Sequence, residues 1–486
     1  MTAAGIVGAA VIAVPMLAAA LLALLPDWRL AAWGNVLAAL VAFLAAAAMP
    51  LLGLHPFFLL TDGLAEHLAV LTAFVGLTTA WYSRGYVAVE VDAGRLDAPR
   101  LRLYHATFQV LLGALLLALL AVNTGVTWVA MEAATIAAVL VVQLPRTAEA
   151  IEASWKYFLL CGVGIALALF GTVVLYLAVE PSLGRGFPAM RWDALATAGA
   201  HSNGVLLNLA FVFLLLGYGT KAALAPLHTW MPDAHAEGPT PMSAVLSGSI
   251  LNVALAIILR LRGVLAANAA AGAGAIDPGP PIMALGLASL LLAAFGLWRR
   301  RDVKRFFALS TIEQSGVAAY AFGLGGPFAV FAGLLHLTLH TLAKAAVFQC
   351  VGRAAQLRGG QKFADLGGLL AGHRRLALTL GLGVIAVAGL PPFGLFVSEF
   401  LIVSATILRA PLLALPLGIG LVVGTWALVA RLQGLWLGEA TPDRGLAPGL
   451  GMLAPVWLHL AIVLVLGLAM PLPLASWMRG IAAAVG

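Results

Sequence analysis

Eight ionisable side chains stand inside apolar stretches of this 486-residue chain: Glu132, Lys156, Lys221, Glu313, His336, His340, Lys344 and Glu399. His336, His340 and Lys344 recur every four residues, which stacks them on one face of a helix over about two turns. Histidine titrates near neutrality and a desolvated lysine can release its proton, so such a row suits proton exchange through intervening water. Arginine cannot take that part, because it keeps its charge. Of five lysines, Lys156, Lys221 and Lys344 lie in apolar segments, while the loops use arginine almost throughout. A charge at the bilayer centre costs about 2.5–3.5 kcal/mol, so unpaired and together these groups cost on the order of 20 kcal/mol. The competing reading is that the row only satisfies neighbouring helices, and for Glu132 with Lys221 that they form a structural ion pair. Lys156 lies near one end of its segment and either joins the path or snorkels to the interface. Asp62 and Glu66, early in an apolar segment, are weaker candidates that contact a loop or a partner. Asp233, His235 and Glu237 fall on a loop, where proton uptake or turn capping is favoured over metal binding. His228 borders a helix interruption.

The elements that must hold these residues are transmembrane helices. The chain is 62% hydrophobic and 10% charged, against about 25% charged in a soluble domain, and apolar runs long enough to cross a bilayer recur along its length. The expected spans are 4–25, 29–50, 57–82, 103–122, 124–143, 154–179, 204–226, 240–262, 279–298, 305–324, 327–351, 376–408, 411–432 and 450–475. The fold class is therefore an all-α integral membrane protein of about fourteen helices in a single membrane domain. The first run lacks a basic n-region and is followed at once by another, so it is a span rather than a signal peptide.

Two spans are discontinuous: 204–226 ends at Ala225-Pro226-Leu227-His228, and 376–408 is broken by Pro391-Pro392. Each break has an ionisable residue beside it, Lys221 or Glu399, and the breaks lie five helices apart. That spacing fits two inverted repeats, 103–262 and 279–432, following three N-terminal helices (1–82) and preceding a last helix (450–475). Paired breaks point to ion sites near the midplane, since unwound backbone is tolerated there only beside protein or water.

The net charge of +7 sits in short loops, a topology signal rather than a nucleic-acid footprint. Loops after odd-numbered spans hold about 18 Lys and Arg, against about 6 in the other loops and both ends, which puts the former in the cytoplasm and both termini outside. The two cysteines, Cys161 and Cys350, make no C-x-x-C, so any redox cofactor belongs to another polypeptide. No phosphate loop or nucleophile–base spacing marks an enzyme acting alone.

The stretch Lys221-Ala-Ala-Leu-Ala-Pro-Leu-His228-Thr-Trp-Met-Pro-Asp233-Ala-His235-Ala-Glu237-Gly-Pro-Thr-Pro-Met-Ser243 resembles the antiporter-type membrane subunits of NADH:quinone oxidoreductase, multisubunit sodium/proton antiporters and membrane-bound hydrogenases. Trp128-Val-Ala-Met-Glu132, Ser310-Thr-Ile-Glu313-Gln-Ser-Gly316, His340-Thr-Leu-Ala-Lys344-Ala-Ala and Phe396-Val-Ser-Glu399-Phe extend the resemblance over nearly the whole chain. It implies that Glu132 and Lys221 form a gating pair, that His336, His340 and Lys344 relay protons across the middle, and that Glu399 is the terminal site. Relatives in the NADH enzyme commonly carry a histidine where Ser247-Gly248-Ser249 stands here, which leaves the junction of the half-channels to water or hydroxyls. That variant, Glu313-Gln314 and Tyr104-His-Ala-Thr-Phe-Gln109 most resemble the component F branch of the hydrogenase-4 type. The resemblance implies a proton-translocating subunit of the inner cell membrane. Its partners are other membrane subunits, lipid and a peripheral redox arm holding the iron–sulfur, nickel–iron or flavin centres. The alternative is a subunit of a non-redox sodium/proton antiporter or ion-uptake system.

Overall fold

The protein is described by a computed structural model that covers residues 2–439, 442 and 450–486. The first six helices are α1 (Ala3–Leu24), α2 (Trp28–Leu52), α3 (Gly63–Asp92), α4 (Ala98–Leu120), α5 (Thr124–Val142) and α6 (Ala148–Leu183). A short α7 (Trp192–Ala198) lies in the next connection, and α8 (Gly204–Lys221) is separated from α9 (Trp230–Glu237) by an unwound stretch. α10 (Thr240–Val245) runs through a π-helical turn at Leu246–Ile250 into α11 (Leu251–Ala270). Then come α12 (Gly279–Gly296), α13 (Val303–Leu324), α14 (Gly326–Arg358) and a single turn, α15 (Leu369–Gly372). α16 (Arg374–Val387) and α17 (Gly394–Arg409) flank the second unwound stretch, and α18 (Pro411–Leu437), α19 (Ala454–Leu468) and α20 (Leu472–Val485) complete the chain.

Local sequence sets many of these boundaries. Thr2, Asp27, Asp62, Asp97, Asn123, Thr147, Asn203 and Asp302 each accept a backbone N–H at the start of α1, α2, α3, α4, α5, α6, α8 and α13. A cap of this kind satisfies one of the donors that a helix N-terminus leaves unpaired. The cap explains why the third helix begins at Gly63, later than expected from hydropathy. Asp62 also receives a two-pronged contact from Arg260 at 2.5 and 2.8 Å, so it ties α3 to α11.

Twelve helical segments among the described residues are long and apolar enough to cross a bilayer. The other two expected spans correspond to α13, which is more polar, and to the α16–α17 pair. The last expected span, 450–475, is corrected at its end: the helix stops at Leu468, and Pro471 and Pro473 start the separate α20. α20 packs on α3 and α14, with the Trp477 and His67 rings edge to face and their centroids 5.3 Å apart. The stretch expected as a loop at 228–237 is likewise corrected, since Trp230–Glu237 is helical.

Close helix approaches depend on small residues. A Cβ on Gly217 would strike the α6 backbone at Gly164 and Ala168, and one on Gly286 would strike α13 at Gly316 and Tyr320. At the centre stands α14, buried over nearly its whole length and touching α10, α13, α16, α17, α19 and α20. A helix ringed by protein can hold polar side chains on more than one face, and α14 carries His336, His340 and Lys344.

Candidate functional site

Lys221 is the last residue of α8 and is fully buried. The helix ends there in free carbonyls, a place that favours a cation. The unwound stretch beyond it is held by α12 and α13. Ser315 Oγ donates to the Ala222 carbonyl at 2.8 Å, and the Ala225 N–H donates to Ser289 Oγ at 2.8 Å. Trp230 Nε1 donates back to the Thr220 carbonyl at 2.9 Å and stacks on Tyr157 with ring centroids 4.4 Å apart. Ala223 takes the left-handed backbone conformation within this turn.

The Lys221 ammonium donates to Thr135 Oγ1. Glu132, one turn earlier on α5, has its Oε2 4.0 Å from Lys221 Nζ, and the Glu132 side chain is 24% exposed against 1% for Lys221. The acid and the lysine are thus in Coulombic contact without a hydrogen bond, while the hydroxyl holds the ammonium.

Around the second break the groups are more deeply enclosed. Glu399 lies on α17 with its carboxylate against Gly389, where a Cβ would collide with it. Glu313 on α13 sits the same way against Gly424 of α18. Gln314 is beside Glu399, and Glu313 is near enough to both Lys344 and Glu399 to interact with their charges. On α14, the His336 and His340 rings are parallel with centroids 6.3 Å apart. His336 Nδ1 shares a 3.1 Å hydrogen bond with Ser398 Oγ, next to Glu399. Lys344 Nζ donates to the Phe307 carbonyl at 2.9 Å. The structure therefore gathers Glu313, His336, His340, Lys344 and Glu399 in one buried region, and Glu132 with Lys221 in another.

The π-helical turn Leu246–Ile250 packs against α14. Gly248 has its α-carbon against Thr341, which follows His340, and Asn252 Nδ2 donates to Thr341 Oγ1 at 2.9 Å. Ser247 Oγ donates to the Ala244 carbonyl at 3.1 Å, and Ser249 Oγ is buried with no partner among the described residues. Hydroxyls and an amide occupy this junction.

Lys156 departs from the buried set. Its side chain is 46% exposed and pairs with Glu152 at 2.6 Å and Asp233 at 3.2 Å. It lies near the start of α6, outside the two buried groups. Arg305 joins the same surface network, 3.2 Å from Asp233 and 3.1 Å from Glu237. His228 lies partly buried in the first unwound stretch. His235 is buried, stacked on Phe348 at 4.9 Å, and neither ring nitrogen has a partner among the described residues.

Sequence reasoning missed Thr135, Ser289, Ser315, Ser398 and Lys304. Lys304 was hidden in an arginine-rich stretch, yet it is buried and donates to the Ala236 and Gly238 carbonyls at 2.9 and 3.0 Å. The rarity of lysine was the available signal.

Residues 121–424 match the family described as NADH:quinone oxidoreductase/Mrp antiporter, transmembrane region. The chain is 45% identical over 472 residues to a hydrogenase-4 component F homolog of Methylacidiphilum infernorum, covering 97% of this chain and 98% of that one. Its fold superimposes on a chain of an archaeal membrane-bound sulfane sulfur reductase with a TM-score of 0.83 at 22% identity, covering 99% of this chain and 97% of that one. A chain of respiratory complex I from Thermus thermophilus gives 0.82 at 22% identity, covering 99% of this chain and 98% of that one. At such identities the two structures speak to the fold alone.

Proposed function

The chain belongs to the NADH:quinone oxidoreductase/Mrp antiporter transmembrane family, and on that footing we propose that it carries protons through the membrane as a subunit of a larger redox-driven complex of the hydrogenase-4 type. The observation that carries the reading is the buried Lys221 at the broken end of α8, with Glu132 4.0 Å away and unbonded to it. An acid held this loosely can approach or withdraw at little cost, whereas the lysine is fixed. With Glu132 near, the ammonium is stabilised; with Glu132 withdrawn, Thr135 and the helix-end carbonyls alone hold it, and the proton is released inward.

The proton then passes the hydroxyl junction at Gly248 and Thr341 to Lys344, His340 and His336, and leaves through Glu399 with Glu313 beside it. On the side of the arginine-rich loops, a cavity of ≈280 Å³ lined by Tyr86, Glu90, Arg95, Lys304 and Gln356 is the uptake mouth of this second half-path. Lys304 and His235 stand between that mouth and Lys344. The path runs through two inverted repeats, 103–262 and 279–432, with the arginine-rich loops in the cytoplasm and both termini outside the inner membrane. The redox centres reside on partner chains. Moving one proton against 100 mV takes about 2.3 kcal/mol, which the partners' reaction supplies. The family also includes Mrp antiporters, and a second reading is sodium–proton exchange without redox chemistry; identification of co-purifying subunits separates the two.

The test is Lys221→Ala in the assembled complex, with proton uptake followed in inverted membrane vesicles. Assembly is expected to persist and proton transport to vanish. Normal coupled pumping in that variant refutes the assignment.

A further inference from the structure

On the face formed by α2, α3 and the start of α19, an apolar groove of ≈330 Å³ is lined by Val36, Leu40, Phe74, Leu77, Trp81 and Leu458. At one end it meets a cluster of interfacial groups. Arg84, one turn beyond Trp81, lays its guanidinium 3.8 Å from the Trp33 ring centroid and 4.7 Å from that of Trp81. The two indoles meet edge to face at 6.0 Å, and Trp81 Nε1 donates to the Gly451 carbonyl at 3.3 Å. Indole pairs of this kind mark the headgroup level of a bilayer. Below them the groove descends along α3 as far as Phe74, into the depth of the acyl chains.

Arg84 differs from its neighbours. Arg95 is bound by Glu90 at 2.5 Å and Arg100 lies 3.6 Å from Asp97, but no carboxylate among the described residues pairs with Arg84. Its ring contacts occupy the flat face of the guanidinium and leave the N–H edge free, the geometry that binds a phosphate with two parallel hydrogen bonds. A cation at headgroup level above an apolar slot is complementary to one molecule that has both parts: an acyl chain joined to an anionic phosphate.

We propose that this groove is a binding site for an anionic phospholipid, with the phosphate on Arg84, the glycerol region against Trp33 and Trp81, and one acyl chain in the slot. The proposal is independent of the proton path. The site takes the headgroup from the leaflet on the side of the arginine-rich loops, since α2 begins and α3 ends there.

The test uses the full chain in mild detergent, delipidated and then exposed to phosphatidylglycerol or phosphatidylcholine vesicle lipid, with bound lipid counted by native mass spectrometry. Phosphatidylglycerol is expected to be retained in preference. Arg84→Gln is expected to lower that retention by about fivefold, the effect of one basic residue at a membrane surface. Leu40→Trp, which fills the slot and leaves the charge, is expected to lower retention of both lipids. Helical content and melting behaviour of both variants check that they fold. Equal retention of the two lipids, or unchanged preference in Arg84→Gln, overturns the proposal. So does a partner helix found seated in the groove in the purified complex.

Discussion

At the first break a buried cation, Lys221, faces a partly exposed acid, Glu132, 4.0 Å away. At the second, the buried acid Glu399 faces another buried acid, Glu313, and the lysine near them, Lys344, arrives from α14. The first site is loose on one side: Glu132 Oε2 has no hydrogen-bond partner among the described residues. The second is shaped by backbone, since Gly389 and Gly424 make room for the two carboxylates. The contrast teaches that two proline-containing breaks in one chain need not share the same chemistry. One leaves its acid without a hydrogen bond at the contact with lysine, and the other encloses its two acids against glycine backbone.

Four substitutions probe that contrast, beginning with the most damaging. Lys344→Met leaves Glu313 without its lysine and is expected to reduce vesicle proton uptake to the passive leak. Uptake near normal would remove the second region from the path. Gly389→Ala is next: the residue has φ +64°, and a side chain there is strained and also meets the Glu399 carboxylate. A cost of about 1–3 kcal/mol from the backbone is expected, read as a lower melting temperature together with slowed uptake. A melting temperature equal to the parent's would mean that the cradle is not rigid.

Thr135→Val tests the loose site. Hydrogen bonds to charged groups contribute about 1.5–3 kcal/mol, so uptake is expected to slow by about tenfold while assembly remains intact; an unchanged rate would show that Glu132 alone governs Lys221. Lys156→Gln should do least. Its ion pairs are solvent-exposed and such pairs are worth little, so uptake is expected to stay within about twofold of the parent. Severe loss would return Lys156 to the path.

Much of this was readable from the residues. The four-residue spacing of His336, His340 and Lys344 dictated a shared face on any helix, and that face is what α14 presents. Proline beside an ionisable residue located both breaks, because a chain in lipid unwinds only where something else bonds its backbone. What bonds it was not readable. Ser289 and Thr135 turn back to a carbonyl one turn earlier like any helical hydroxyl, toward Leu285 at 2.6 Å and Met131 at 2.8 Å, and it is their oxygens that accept from the Ala225 N–H and the Lys221 ammonium. Only the packing of α12 and α13 against the first break brings Ser289 within reach of the Ala225 N–H and turns Ser315 to the Ala222 carbonyl.

The chain's own composition and periodicity determined that it is a helical membrane protein with costly groups held in its interior. Those properties follow from local rules, since transfer free energy and helical repeat act residue by residue. Tertiary structure decided which of the costly groups are enclosed. Lys156 and Lys221 both lie in apolar segments, yet one is left half-exposed near the start of α6 and the other is sealed at the end of α8. Enclosure depends on what neighbouring helices cover, and no single stretch of sequence contains its neighbours.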